Sequence, residues 1–186
     1  MRTLTRLAAA AAVAAALFVP AASPAAASPE RVRCSVVYFD LGGTLVDTSD
    51  RTAYRYMPGA REHLRLLRVL GVPMGVITNV PPSWGADDAQ RAARVREFIA
   101  ASWAEPEPFP WHYFEAPVLT PRSTAEYKPA PALFERALTA AGQCRAFFQG
   151  EDAAEISAAE ATGLTGYQIG QPGRRAYLPP GHIFRP

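Results

Sequence analysis

Asp40 closes an apolar run, "SVVYFD", and a Gly-Gly-Thr turn follows it. Three further polar groups stand where apolar runs end or helices begin: Thr78-Asn79, Lys128 in the loop before a helix, and Glu151-Asp152. An aspartate, a threonine, a single lysine and an acidic pair suit phosphoryl transfer through a carboxylate nucleophile. The carboxylate attacks phosphorus. The hydroxyl and the ammonium hold phosphate oxygens. The remaining acids bind Mg²⁺, which screens the repulsion between two anions. His63, His112 and His182 are scattered and make no metal-ligand spacing, and His63 is expected on a helix surface.

The elements that must position these groups alternate. "SVVYFD" reads as a buried strand, and "PGAREHLRLLRVLG" as an amphipathic helix on Leu64, Leu67 and Leu70 with a Gly71 stop. "VPMGVITN" is a second strand. "ADDAQRAARVREFIAASW" is a helix with acids in its first turn and an apolar Val95, Phe98 and Ile99. "YFEAPVL" is a third strand and "KPAPALFERALTAAG" a third helix. "RAFFQG" is a fourth strand, "AAEISAAEATG" a fourth helix and "YQIG" a short fifth strand before a Pro/Gly-rich tail. "GTLVDTSDRTAYRYM" is turn-rich. The alternation predicts an α/β fold, a Rossmann-like three-layer α/β/α sandwich around a central, mainly parallel five-stranded sheet. Chemistry in such folds gathers at the carboxyl ends of the strands, where the four polar groups stand.

Composition bounds the rest. The 186 residues are 49% hydrophobic, enough for one domain with a core. The net charge of +2 comes from Arg2 and Arg6, since the first 27 residues hold no acid, so no nucleic-acid surface is indicated. Those residues read as a signal peptide: a basic start, an apolar "LAAAAAVAAALFV", a Pro20 break, and small Ala25 and Ala27 before Ser28. The 28–186 remainder would then be a secreted or periplasmic domain without stable membrane association. Retention of the segment as an anchor is the other reading.

The chain resembles the haloacid dehalogenase-like (HAD) superfamily, most of whose members are Mg²⁺-dependent phosphatases, from Val32 to about Gly170. "YFDLGGTLVD" looks like its first motif, "GVITN" its second, "YKPAPALFERAL" its third and "FFQGEDAAEISAAEATGL" its fourth, with Glu151 and Glu155 spaced as its paired acids. The resemblance implies Asp40 as nucleophile, Thr78 and Lys128 as catalytic phosphate ligands, and Gly43, Thr44 and Asn79 around the substrate. It implies a Mg²⁺ held by Asp40, the Gly42 carbonyl, Glu151 and Asp152. Lys128 is the only lysine among 19 basic residues. A compact ammonium fits between carboxylate and phosphate where a guanidinium fork would not. Asp40 and Lys128 are expected at loop ends, outside the core.

Two residues depart from the family pattern. Glu151 stands where aspartate is usual. Gly42 stands where a second aspartate protonates the leaving group and then activates water. Three readings stay open: a slow phosphatase-like hydrolase, a degenerate protein that binds phosphate or metal without turnover, and carboxylate attack on another electrophile such as carbon–halogen. The short spacing from Asp40 to Thr78 leaves no room for a helical cap. The site would be open to a bulky phosphorylated substrate of unknown identity, or closed by oligomerisation. Trp84 and Trp111 either line its mouth or pack loops onto the core. The first- and fourth-motif strands are neighbours in this family, which implies a Cys34–Cys144 disulfide at the end of the sheet away from the site.

Overall fold

The computed structural model describes residues 34–184. The expected signal peptide at 1–27 lies outside them. Five parallel strands form the central sheet: β1 (Ser35–Phe39), β4 (Met74–Ile77), β5 (Val118–Leu119), β6 (Arg145–Gly150) and β7 (Thr165–Gln168), in the order β5-β4-β1-β6-β7. A small antiparallel hairpin, β2 (Val46–Asp47) with β3 (Arg55–Tyr56), occupies the segment that reads as turns.

Strands buried on both faces need apolar residues at successive positions, and β1 and β6 supply them. Val37, Phe39, Met74, Val76 and Phe147 face one layer, made by α1 (Ala60–Val69) and α2 (Asp88–Ser102). Val36, Tyr38, Ile77, Ala146 and Phe148 face the other, made by α3 (Ala132–Ala141) and α4 (Ala153–Thr162). A short α5 (Pro180–Ile183) ends the tail, and Ile183 joins the first layer. Among the described residues no helix is long and apolar enough to cross a membrane.

Several expectations are corrected. β5 is shorter than "YFEAPVL", because Trp111–Tyr113 winds into a 3₁₀ turn and Phe114 packs on Phe109 and Trp111. Leu70 caps α1 and is exposed, and only Leu64 and Leu67 of its expected stripe are buried. His63 is buried, not on the helix surface: its ring stacks on Tyr177 at 4.8 Å and meets the edge of Phe39 at 5.8 Å. The cause is the C-terminal tail, which folds back over that face of α1. Trp84 packs on Phe98 and Trp111 on Phe109, both against the core, so they take the packing role.

Cys34 and Cys144 form a disulfide, with Cα atoms 4.7 Å apart. Each cysteine directly precedes its strand, and the register pairs Ser35 with Arg145. The bridge therefore lies at the amino ends of β1 and β6, opposite the strand ends that carry Asp40 and Glu151.

Candidate active site

The chain runs from β1 to β4 and β5 on one side of the sheet, then crosses to β6 and β7 on the other. β1 is thus the switch point, beyond whose carboxyl end open α/β sheets bind their ligands. Asp40 is the next residue after β1. Its amide donates to the Gln149 carbonyl at 2.9 Å, which ties its backbone to β6.

Lys128 reaches this point from the loop before α3. Its Nζ donates to Asp40 Oδ1 at 2.6 Å and to Glu155 Oε2 at 2.6 Å. It also lies over the Phe148 ring, 5.4 Å from the centroid. Asp40 and Lys128 stand at loop ends, but at only 7% and 6% exposed the pair is buried and not outside the interior. The backbone of Lys128 is gripped by one side chain. Asn79 accepts from the Lys128 amide at 2.8 Å and donates to its carbonyl at 3.0 Å. Asn79, expected near substrate, therefore positions Lys128.

The loop after Asp40 is tight. Leu45 and Val46 both donate their amides to the Leu41 carbonyl, and Gly43 donates to Val46. Gly43 has φ +71°, and a Cβ there would sit 2.9 Å from Glu151 Oε1. Glycine is thus required twice, for the backbone and for the space that Glu151 uses. Thr44 is fully buried, and its hydroxyl donates to Glu151 Oε2 at 2.5 Å. The extra methylene of Glu151 lets its carboxylate fold back over the loop. Thr44, expected at substrate, thus holds Glu151.

Thr78 follows β4 and is buried. The register pairs Phe39 with Val76, so Thr78 stands one residue beyond the level of Asp40 on the adjacent strand. Asp152 caps α4: its Oδ1 accepts from the Ala154 and Glu155 amides at 2.7 and 3.0 Å. Its carboxylate is placed by that cap, while Glu155, one turn beyond Glu151, faces Lys128. Glu151 and Glu155, the acids whose spacing marks the fourth motif, thus both lie at the site, Glu155 on Lys128 and Glu151 on Thr44.

Three carboxylates, Asp40, Glu151 and Glu155, surround one ammonium, leaving two negative charges in excess. Burial raises the pKa of Asp40, and the charge and hydrogen bond of Lys128 only partly offset it. Burial and the charge of Asp40 raise Glu151, against the hydrogen bond from Thr44. Burial also raises Glu155, against Lys128. Burial works to neutralise Lys128, but Asp40 and Glu155 together outweigh it and raise its pKa, so it stays charged. An added divalent cation would balance the site. The candidate ligands, two carboxylates and the Gly42 carbonyl, are all oxygen, the donor type that Mg²⁺ takes. Among the described residues no three His, Cys, Asp or Glu side chains converge as a cage, so water would complete the shell.

Neither family models nor curated proteins match the sequence. Solved structures do. The chain is similar to a HAD-superfamily hydrolase from Ehrlichia chaffeensis at 18% identity, covering 73% of this chain and 87% of that one, with a TM-score of 0.52. It is similar to an L-2-haloacid dehalogenase at 17% identity over 78% of this chain and 90% of that one, TM-score 0.53. A further dehalogenase structure matches at 14% identity over 76% and 87%, TM-score 0.53. At such identities the likeness speaks for architecture alone: with its five-stranded parallel sheet between helices, this chain has the haloacid dehalogenase-like fold.

Proposed function

We propose that the protein is an exported, Mg²⁺-dependent phosphatase-like hydrolase working through Asp40, slowed by Gly42. The observation that carries this reading is Asp40 at the switch point of the sheet, gripped by Lys128 beside two further carboxyl groups, Glu151 and Glu155. A carboxylate oxygen of Asp40 attacks phosphorus and the bond to the leaving oxygen breaks, giving an aspartyl-phosphate. Water then attacks that phosphorus, releasing inorganic phosphate and restoring Asp40. Lys128 orients Asp40 and neutralises phosphate charge, and Thr78 offers its hydroxyl to a phosphate oxygen. Mg²⁺, held by Asp40, Glu151 and the Gly42 carbonyl, would supply electrostatic stabilisation of the transferring group. Gly42 has no group to protonate the leaving oxygen or to activate water.

The β2–β3 hairpin, with only residues 48–54 between its strands, adds no cap over the site. A chain without a cap suits a bulky phosphorylated substrate. The apolar leader and the Cys34–Cys144 bridge support export, since disulfides persist in oxidising compartments.

The test is hydrolysis of a phosphate-ester panel by the purified protein, with and without Mg²⁺, beside an Asp40→Asn control. Metal-dependent turnover that the control loses is the expected result. Wild-type turnover by the control would overturn the assignment. The absent side chain at Gly42 favours one other reading, a protein that binds phosphate without turnover. Tight phosphate or beryllium fluoride binding with no hydrolysis of any ester would select it.

A further inference from the structure

The tail after β7 crosses back to the loop that carries Asp40. Tyr167 donates its hydroxyl to the Arg175 carbonyl at 2.6 Å, which starts the return. Tyr177 is buried, and its hydroxyl donates to the Thr44 carbonyl at 2.6 Å. The next residue, Leu178, donates its amide to Gln149 Oε1 at 2.8 Å. Gln149 Nε2 lies 3.2 Å from His63 Nε2, and the His63 ring stacks on Tyr177. Further on, Ser35 donates to the Ile183 carbonyl at 2.9 Å. On the other side of the phenol, a Cβ on Gly59 would lie 3.6 Å from the Tyr177 ring. The tail is thus fastened to β1, β6, α1 and the Asp40–Val46 loop.

Thr44 stands at the centre of this arrangement. Its carbonyl takes the Tyr177 hydroxyl while its own hydroxyl goes to Glu151. The Thr44–Leu45 peptide is held at both ends, by Tyr177 at its carbonyl and by the Leu41 carbonyl at its amide, and losing the phenol leaves only the second hold on the segment from which the Thr44 side chain reaches Glu151. We propose that Tyr177 is a positioning residue: through Thr44 it fixes the Asp40–Val46 loop and aims Glu151 at the cation position. The role of Glu151 toward a cation rests on the phosphatase reading, whereas the hold on the loop does not.

Tyr177→Phe keeps the ring on His63 and removes only the hydroxyl, so the variant folds. Hydrogen exchange of the metal-free protein reads the hold directly. The Gly43, Leu45 and Val46 amides should exchange about 10-fold faster, while β1 and β6 amides change little. Unchanged loop exchange, or equal acceleration everywhere, overturns the proposal. Calorimetric Mg²⁺ titration reads the second step. Mg²⁺ affinity should fall about 10-fold in Tyr177→Phe. Thr44→Val, which leaves the Tyr177 bond in place, should lose Mg²⁺ affinity by a similar factor without loosening the loop. Equal Mg²⁺ affinity in all three proteins overturns the aiming of Glu151. A wild type that binds no Mg²⁺ removes the phosphatase reading and the aiming together, and exchange still decides the hold.

Discussion

Replacing Gly42 with aspartate puts back the one acid–base group that the site lacks, and the surroundings allow it. Gly42, unlike Gly43, lies outside the left-handed region, so a side chain meets no backbone strain. A Cβ there would lie 3.4 Å from Thr48 Oγ1 and 3.7 Å from Thr48 Cγ2, ordinary van der Waals contacts with a half-buried threonine. The new carboxyl joins Asp40 and Glu151, whose charges raise its pKa, as a leaving-group acid requires. A positioned proton donor contributes about 10²–10⁴-fold, or about 3–5 kcal/mol of barrier. An alkyl phosphate, whose alkoxide must be protonated, should gain most of it. A nitrophenyl phosphate, whose phenolate leaves unaided, should gain several-fold at most. The assay is kcat/KM on both esters for wild type and Gly42→Asp in Mg²⁺. A presteady-state burst should precede slow turnover in the wild type and shrink in the variant, as water attack on the aspartyl-phosphate recovers its base. A folded Gly42→Asp protein that hydrolyses alkyl phosphate no faster would refute the reasoning and move the binding reading ahead.

Lys128→Ala strands Asp40 and Glu155 without their cation, so activity should vanish and denaturant titration should show a loss of about 3–5 kcal/mol. Asp40→Asn should also be inactive but near wild type in stability, because it removes a carboxylate whose burial already opposes its charge; a loss as large as that of Lys128→Ala would contradict this. Burial lowers the pKa of His63 to about 4, below the ordinary 6.5, so its neutral form is favoured in the fold. The corresponding stability is full above pH 6.5 and drains as pH falls toward 4, by up to about 3 kcal/mol. His63→Phe should flatten that part of the stability–pH curve, and an unchanged slope would place the acid sensitivity elsewhere. Reducing Cys34–Cys144 should remove about 4–5 kcal/mol in the chain-entropy view, lowering Tm by roughly 10 °C without altering site chemistry. Two reactive thiols in unfolded, unreduced protein would exclude the bridge.

The strands were legible because a parallel sheet buries both faces, which forces continuous apolar runs such as "SVVYF" and "RAFFQG". The site was legible for a related reason: a polar residue directly after such a run stands where the buried layer ends, and Asp40 and Glu151 both do. Roles within the site were harder to read. The same amide serves substrate or backbone, and nothing local distinguishes the two. Asn79 spends its side chain on the main chain of Lys128, 49 residues away, and Thr44 spends its hydroxyl on Glu151, 107 residues away. The tail was least legible, since "GRRAYLPPGHIF" has neither helical nor strand period. Its partners are set by loops and not by register. Yet Tyr177 reaches Thr44 across 133 residues and covers His63, expected on a helix surface. Periodicity reports which faces are buried by neighbouring elements, and a returning tail buries faces that no period marks. Here that tail covers α1 and reaches the Asp40–Val46 loop, so the contacts hidden from the sequence include the Tyr177 bond to Thr44, whose hydroxyl in turn meets Glu151.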